Sequence, residues 1–170
     1  MKTENITTKN LVLAAMFAAL VFCSIYFVSI PNGHGGFIHF GDAIIFLAAS
    51  LLPFPLALPV AALGAGLFNL AAPGGIIWLP FTIIIKPLLT LCFTSCHRSL
   101  LCPRNLAAPF AAATINTVLY FFANAINFGG FAAATAALPG LLIQGVGSIN
   151  VYFVMAYALD RLRLKEHVLR

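Results

Sequence analysis

The sequence predicts an all-α membrane protein with six transmembrane helices and both termini in the cytoplasm. Apolar residues make up 62% of the 170-residue chain, and only 8% of the residues are Asp, Glu, Lys or Arg. A soluble domain is about 45–50% apolar and about 25% charged. A chain this poor in charge cannot cover a surface that faces water. The composition therefore excludes a soluble enzyme, a nucleic-acid-binding protein and a disordered segment, and it indicates a lipid bilayer as the surroundings.

Proline, glycine and charged residues divide the chain into long apolar runs. The first run has the length of a membrane span and exceeds the apolar core of a signal peptide, so we predict a helix that is retained. Pro53, Pro55 and Pro59 divide residues 42–71 into two predicted helices, because proline inside a helix removes a hydrogen bond. Backbone groups in hydrocarbon must be paired internally, which favours helices throughout. A single membrane domain, residues 1–170, is predicted, with spans at 11–30, 42–53, 56–71, 76–95, 106–127 and 138–159.

The distribution of basic residues predicts the orientation of the helices. Of the nine Lys and Arg residues, only Lys86 lies within a predicted span. The loops at 31–41, 71–76 and 128–137 contain none. Six alternating helices place all the other basic residues on one side, which the positive-inside rule identifies as the cytoplasm. Those residues are Lys2, Lys9, Arg98, Arg104, Arg161, Arg163, Lys165 and Arg170.

Two formal charges, Asp42 and Lys86, lie inside the predicted spans. Each costs about 2.5–3.5 kcal/mol at the centre of a membrane helix, and such residues usually face the interior of the bundle or a water-filled cavity. In one interpretation the two residues pair with each other as a structural contact. In the other, one or both hold a polar ligand. The interpretations are compatible if the pair opens when a ligand binds.

Three predicted spans carry polar and aromatic residues at helical spacing, so that each set shares one helix face. A lone Asn in a membrane helix is more often a contact between helices than a ligand contact. Three coherent faces instead favour a pocket for a small heteroaromatic molecule, in which rings stack and amides bond to its edge. The faces consist of Trp78, Thr82 and Lys86; Asn116, Tyr120, Asn124 and Asn127; and Gln144, Ser148 and Tyr152.

The segment 33–42 between the first two spans is rich in glycine and carries Phe37, His39 and Phe40. We interpret it as a flexible cover that closes over a ligand on the outer side of the membrane. The alternatives are a plain connecting loop and an aromatic belt at the membrane surface. In the first span, the pairs Ala14/Ala18 and Ala15/Ala19 have the small-xxx-small spacing that lets another helix approach closely, and we predict a docking face there.

The sequence contains no recognisable catalytic, metal or phosphate-binding motif. Cys92, Cys96, His97 and Cys102 do not have the spacing of usual zinc ligands, and the four cysteines are expected to be free thiols. No metal and no cofactor are therefore predicted. Sets of Ser, His and Asp, HExxH and paired carboxylates are absent, so we do not expect an enzyme. The phosphate-binding motif GxxxxGK[ST] is absent too, and the chain is not expected to hydrolyse ATP.

Three sequence blocks resemble those of the substrate-binding S components of energy-coupling factor (ECF) vitamin transporters. Residues 38–49 read IHFGDAIIFLAA, residues 64–70 read GAGLFNL, and residues 80–86 read PFTIIIK. The alanine pairs of the first span resemble the AxxxA motif of the family, which contacts the transmembrane T component. The similarity is greatest to the riboflavin, hydroxymethylpyrimidine and pyridoxine types. Asn69 departs from the family pattern by replacing an acidic residue, and Pro87 stands where glycine is common.

The resemblance implies a binding subunit in the plasma membrane of a prokaryote that captures a water-soluble vitamin or vitamin precursor from outside. A T component and two ATPase subunits would then drive uptake with ATP. The motif positions implied to approach the ligand are His39, Asp42, Asn69, Trp78, Thr82 and Lys86. The helix-face argument adds Asn116, Tyr120, Asn124, Gln144 and Ser148. The alternatives are a self-contained oligomeric secondary carrier or channel for a small polar solute, and a membrane assembly subunit that binds no ligand.

Overall fold

The computed structural model describes residues 6–31, 37–163 and 165. Lys2, Arg170 and residues 33–36 of the predicted cover lie outside the described residues. The described part of the chain forms six α-helices, one short 3₁₀ helix and one two-stranded hairpin. The helices are α1 (Thr8–Val28), α2 (Gly41–Leu51), α3 (Phe54–Ala71), α4 (Leu79–Thr90), α5 (Pro103–Asn127) and α6 (Phe131–Arg161). The 3₁₀ helix, Gly75–Trp78, precedes α4, and the strands are β1 (Ile30–Pro31) and β2 (Phe37–Ile38).

Within the described part of the chain, four helices, α1, α3, α5 and α6, are long and apolar enough to cross a membrane. The apolar segments Gly41–Leu51 and Gly75–Thr90 are shorter. The chain is therefore an all-α membrane protein. The only strands among the described residues are β1 and β2, each two residues long, which lie between α1 and α2. The count of six spans stays a prediction.

Prolines mark the junction between α2 and α3. Helix α2 ends at Leu51, Pro53 caps the next helix, and Pro55 stands in the first turn of α3, where its missing N–H is not needed. Pro59 lies inside α3.

Helix α2 lies at the centre of the bundle. It packs against α1, α3, α4 and α6, and every residue in it except Ile44 is buried. Helices α1 and α3 pack closely on one side, while α5 packs on α6 and α4. This arrangement places the first turn of α2, with Asp42, in the interior.

Exposed polar side chains on the long helices bond to their own backbone. Thr114 and Asn150 donate to the carbonyl oxygens four residues earlier, at 2.9 and 2.8 Å, and Thr135 donates to Ala132 at 2.8 Å. Such bonds satisfy polar groups where water is absent, and Ser and Thr commonly make them in membrane helices. This pattern fits helices whose outer faces lie in lipid.

Glycine permits the close approach of α1 and α3. A side chain at Gly64 would place its Cβ 2.6 Å from Val21 Cβ and 2.8 Å from the Ala18 carbonyl oxygen. Ala14 is buried and Ala18 is half-buried in the cluster that joins the two helices. The remaining two alanines of the predicted docking face, Ala15 and Ala19, are exposed. The four alanines thus lie on two different sides of α1.

The connection between α4 and α5 is fixed to the end of α6. The Asp160 carboxylate accepts hydrogen bonds from the Ser99 hydroxyl at 2.6 Å and from the Leu100 and Leu101 N–H groups at 2.8 and 3.1 Å. Arg104 donates to the last carbonyls beyond α4, those of Leu91 and Cys92, which satisfies part of that helix end. The four cysteines are free thiols.

Candidate functional site

A cavity lies between the β1–β2 hairpin, the 3₁₀ helix and the helices around them. Its volume is about 60 Å³, counted as the space open to the centre of a water molecule. A single water needs about 10–15 Å³ on this measure, so several waters fit. Of the eleven predicted ligand residues, eight line the cavity: His39, Asn69, Trp78, Thr82, Lys86, Tyr120, Asn124 and Gln144. The other lining residues are Ile25, Phe37, Ala65, Phe68 and Leu141.

Lys86 and Asp42 form an ion pair at the base of the cavity. The Lys86 ammonium donates to Asp42 Oδ1 at 2.6 Å and to Asn116 Oδ1 at 3.0 Å. Gln144 Nε2 donates to the second carboxylate oxygen, Asp42 Oδ2, at 2.9 Å. All four side chains are buried. The structure therefore contains the direct ion pair of the first interpretation. It also places Lys86 on the cavity wall.

The geometry explains how two charges are accommodated in a buried, membrane-embedded position. Attraction between them offsets the loss of hydration only when further hydrogen bonds satisfy the remaining lone pairs and protons. Asn116 and Gln144 supply those bonds. Asp42 also lies in the first turn of α2, where the helix dipole favours a negative charge.

A second hydrogen-bonded group lies above the ion pair and joins α3, α4 and α5. Asn69 Nδ2 donates to Thr82 Oγ1 at 2.6 Å, and the Thr82 and Tyr120 hydroxyls lie 2.8 Å apart. The Lys86 ammonium is 4.9 Å from the centre of the Tyr120 ring, within the range of a cation–π contact. The predicted faces of two helices, α4 and α5, therefore meet directly.

Aromatic rings form two walls of the cavity. On one side, Trp78 lies 6.1 Å from Tyr120 and 5.7 Å from Phe128, measured between ring centres. On the other side, Phe37 of β2 stands edge-on to Phe68 of α3 at 5.2 Å. Rings at these spacings offer apolar faces and edges to a flat guest molecule.

His39 is buried between the hairpin and α2. Its Nδ1 accepts a hydrogen bond from the Gly41 N–H at 3.3 Å, so the neutral ring carries its proton on Nε2. Burial lowers the pKa of His39 from 6.5 to about 4, with the Asp42 carboxylate opposing this shift and the Lys86 ammonium adding to it. His39 is therefore an uncharged group at neutral pH.

Three predicted ligand residues do not line the cavity. Asp42 and Asn116 lie behind Lys86 and hold it. Ser148 is fully buried, and neither its hydroxyl nor Asn116 Nδ2 has a hydrogen-bond partner within the described residues. Tyr152, on the same predicted face as Ser148, instead bonds to the Ser50 hydroxyl at 3.0 Å.

The sequence interpretation did not identify the apolar part of the lining. Ile25, Ala65, Phe68 and Leu141 face the cavity, yet each has the residue type of an ordinary core position. One available signal was the position of Phe68, directly before Asn69 in the GAGLFNL block.

Comparison with protein families gives one match that covers nearly the whole chain. The sequence model of the ECF-type riboflavin transporter S component matches residues 5–161. The comparison with curated proteins gives no significant match. The matched region includes all six helices, the ion pair and every residue that lines the cavity. The chain therefore belongs to the family of ECF-type riboflavin transporter S components.

Proposed function

We propose that this chain is the substrate-binding subunit of an ECF-type importer and binds a heteroaromatic vitamin or vitamin precursor in the cavity. Membership of the S component family supports a role in vitamin transport. One observation supports this choice of site. Aromatic rings, amides and one ammonium group from α3, α4, α5 and α6 line the same cavity. Riboflavin, after which the matched family is named, is the first ligand to test.

The chemistry of the lining suits a flat ring system with polar edges. Trp78 and Tyr120 supply ring faces for stacking, and His39 and Lys86 supply N–H donors. Asn124 uses one amide proton on the Tyr120 carbonyl at 2.8 Å, which leaves its amide oxygen for a ligand. A pocket with few polar groups and large apolar walls is typical of sites for small organic molecules.

Entry of a vitamin requires the cavity to widen. Phe37 of the hairpin and His39, which follows it, line the cavity on one side. Among the described residues, the hairpin has two residue pairs, Ile30–Ile38 and Pro31–Phe37. We propose that this hairpin moves outward to admit the ligand. Lys86 then exchanges part of its contact with Asp42 and Asn116 for a contact with the ligand.

We propose the orientation with both termini in the cytoplasm of a prokaryotic cell and with six spans. The cavity lies at the ends where α2 and α4 begin, whereas Arg104 and Arg161 lie where α4 and α6 end. Basic residues mark the cytoplasmic side. Labelling of single cysteines in intact cells tests this orientation. The cysteine of His97→Cys is expected to be shielded from membrane-impermeant reagents, and the cysteine of Phe128→Cys is expected to react with them.

We propose that a T component and two ATPase subunits complete the importer. Ala15 and Ala19 form a small-residue face on the outside of α1, and Ala14 and Ala18 are occupied by contacts with α3. Small residues let a second membrane helix approach closely. Ala15 and Ala19 are therefore the proposed contact with the T component.

Titration of the purified protein with riboflavin tests the binding function. Stacking on Trp78 is expected to quench flavin fluorescence, with a dissociation constant below about 1 μM, which corresponds to about 8 kcal/mol. Trp78→Ala is expected to weaken binding at least tenfold, and Ile84→Ala, on the exposed side of α4, is the matched control. Failure of riboflavin and of a panel of pyrimidine, pyridine and thiazole vitamins to bind or to stabilise the protein would contradict the proposal.

A further inference from the structure

A chain of hydrogen bonds runs along one wall of the cavity from α3 to α5. The amide nitrogen of Asn69, Nδ2, donates to Thr82 Oγ1 at 2.6 Å, and the hydroxyl oxygens of Thr82 and Tyr120 lie 2.8 Å apart. Asn69 and Thr82 are buried, and all three residues line the cavity. The direction of each bond in this chain decides whether the wall offers a donor or an acceptor to a ligand.

The Asn69 amide fixes the direction of the bond between Thr82 and Tyr120. A hydroxyl group has one proton to donate and two lone pairs that accept. The Thr82 oxygen accepts from Asn69, and Tyr120 is its other side-chain partner among the described residues. If Tyr120 also donated to Thr82, the buried Thr82 proton would have no acceptor there, which is costly. Thr82 therefore donates to Tyr120, and the phenol proton of Tyr120 remains for the cavity.

Lys86 places a second donor beside this phenol. Its ammonium has three protons and donates two of them to Asp42 and Asn116. The ammonium lies 4.9 Å from the centre of the Tyr120 ring, and Lys86 and Tyr120 both line the cavity. An ammonium group cannot accept a hydrogen bond. This part of the wall thus presents two neighbouring donors, and the matching partner is a ligand edge that carries hydrogen-bond acceptors.

We propose that Asn69 is a positioning residue that turns the Tyr120 proton towards the cavity and thereby selects ligands with an acceptor edge. Carbonyl oxygens and unprotonated ring nitrogens are such acceptors, whereas amino groups are donors. The effect of Asn69 passes through Thr82 and Tyr120 and needs no contact between Asn69 and the ligand. The inference rests on the proposed function and adds to it the polarity of the ligand edge that faces this wall.

The substitution Asn69→Asp reverses the chain. An ionised carboxylate only accepts, so Thr82 donates to it and Tyr120 donates to Thr82. The Tyr120 oxygen then faces the cavity with its lone pairs. A ligand with an acceptor at this place loses a hydrogen bond and meets a second acceptor. Asn69→Leu has no polar group and leaves the direction of the remaining bond open.

A double-mutant cycle with riboflavin and the purified full-length protein tests the proposal. Tyr120→Phe removes the phenol hydroxyl and is expected to raise the dissociation constant about tenfold, the size of one hydrogen bond. Asn69→Asp is expected to raise it at least as much, and Asn69→Leu less. Because Asn69 acts through the phenol, neither substitution should weaken binding further in the Tyr120→Phe background. Thr114→Val, at an exposed site of α5 away from the cavity, is the matched control.

Riboflavin analogues that lack one acceptor provide a readout that a purely structural role of Asn69 would not change. In 1-deazariboflavin and 5-deazariboflavin, C–H replaces a ring nitrogen. In 2-thioriboflavin and 4-thioriboflavin, sulfur, a weaker acceptor, replaces a carbonyl oxygen. One of these analogues is expected to bind the wild type about tenfold more weakly than riboflavin does. That difference should disappear in Tyr120→Phe and in Asn69→Asp.

Other results would overturn the assignment. Losses that add up in the double variants would mean that Asn69 acts independently of Tyr120. Riboflavin binding that Tyr120→Phe leaves unchanged, or analogue preferences that are the same in every variant, would reject the directed donor while the proposed function stands. A wild type that binds neither riboflavin nor an analogue would contradict both. Melting temperatures show which variants fold, and Asn69→Leu completes the cycle if Asn69→Asp does not fold.

Discussion

Lys86 of α4 donates a 2.6 Å hydrogen bond to Asp42 in the first turn of α2, and both side chains are buried. The pair joins a helix at the centre of the bundle to one that lines the cavity. Asp42 accepts a hydrogen bond from the ammonium, and the centre of the Tyr120 ring lies 4.9 Å from the same ammonium. A ligand that contacts Lys86 therefore competes with a structural ion pair, which couples binding to the packing of α2.

Removal of one member of the pair is expected to destabilise the protein strongly. Lys86→Met leaves the Asp42 carboxylate buried without its counter-ion, which costs about 3–5 kcal/mol. The double variant Asp42→Asn/Lys86→Met removes both charges and should recover much of that loss. Thermal unfolding in detergent measures the effect, and strictly additive losses in the double variant would show that the pair contributes no coupling.

Asn124 and Asn116 lie on the same face of α5 but are expected to act differently. Asn124→Ala removes an amide from the cavity wall, so it should weaken ligand binding about tenfold with little change in thermal stability. Asn116→Ala removes a hydrogen bond to the Lys86 ammonium, and bonds to charged groups are worth about 1.5–3 kcal/mol. It should lower the melting temperature.

Binding isotherms and melting curves on both variants check the comparison. If neither substitution affects binding and both affect only the stability of the complex, the chain would be an assembly subunit without a ligand.

Exposed and buried alanines of α1 provide a matched test of the docking face. Ala15→Leu or Ala19→Leu adds bulk to an exposed surface and should abolish co-purification with the T component while ligand binding stays intact. Ala14→Leu adds bulk to a buried site, where overpacking costs about 1–3 kcal/mol, and should lower stability instead. Normal co-purification of both exposed-site variants would reject this face.

The stability of the protein is expected to fall as the pH drops from 6.5 towards 4. In that window an unfolded His39 binds a proton that the folded, buried ring does not, so acid favours unfolding. The shift of the His39 pKa to about 4 corresponds to a loss of about 3 kcal/mol across the window, at 1.36 kcal/mol per unit.

His39→Asn keeps an acceptor for the Gly41 N–H but does not titrate, and it should flatten this part of the curve. Melting temperatures of both proteins between pH 4 and 7.5 provide the measurement. Parallel curves would assign the acid sensitivity to other groups.

Uptake assays separate an importer subunit from a self-contained carrier. Proteoliposomes with this chain alone should show no accumulation of ligand, and those that also contain the T component, the ATPase subunits and ATP should accumulate it. Accumulation by the chain alone under an ion gradient would favour the carrier.

Helical spacing was enough to predict that several polar and aromatic side chains line the same cavity, and their role in binding a ligand stays a prediction. Trp78, Thr82 and Lys86 recur every four residues. Trp78 ends the 3₁₀ helix and the other two lie in α4, and the structure places all three on the cavity wall. Spacing does not specify, however, how far along the helix the cavity extends. Ser148 and Tyr152 continue the face of Gln144, but they lie one and two turns farther along α6, below the cavity.

Other features depend on packing that no local pattern encodes. Ala14 and Ala15 are identical residues on one helix, and the packing of α1 against α3 decides that Ala14 is buried and Ala15 is exposed. Helix α6 begins at Phe131, earlier than the predicted 138, because Gly129 and Gly130 adopt positive φ angles just before it and Pro139 is tolerated inside it.

The brevity and burial of α2 bear on how the protein is made. Eleven residues are about half of what is needed to cross the hydrocarbon of a membrane, and the first turn holds a carboxylate. Partition into lipid alone would not retain such a segment during synthesis. The longer helices on each side form the site into which α2 packs. Lys86 on α4, the counter-charge of Asp42, is synthesised after α2. We therefore expect helix α2 to take its final place late, as a tertiary folding step within the bilayer.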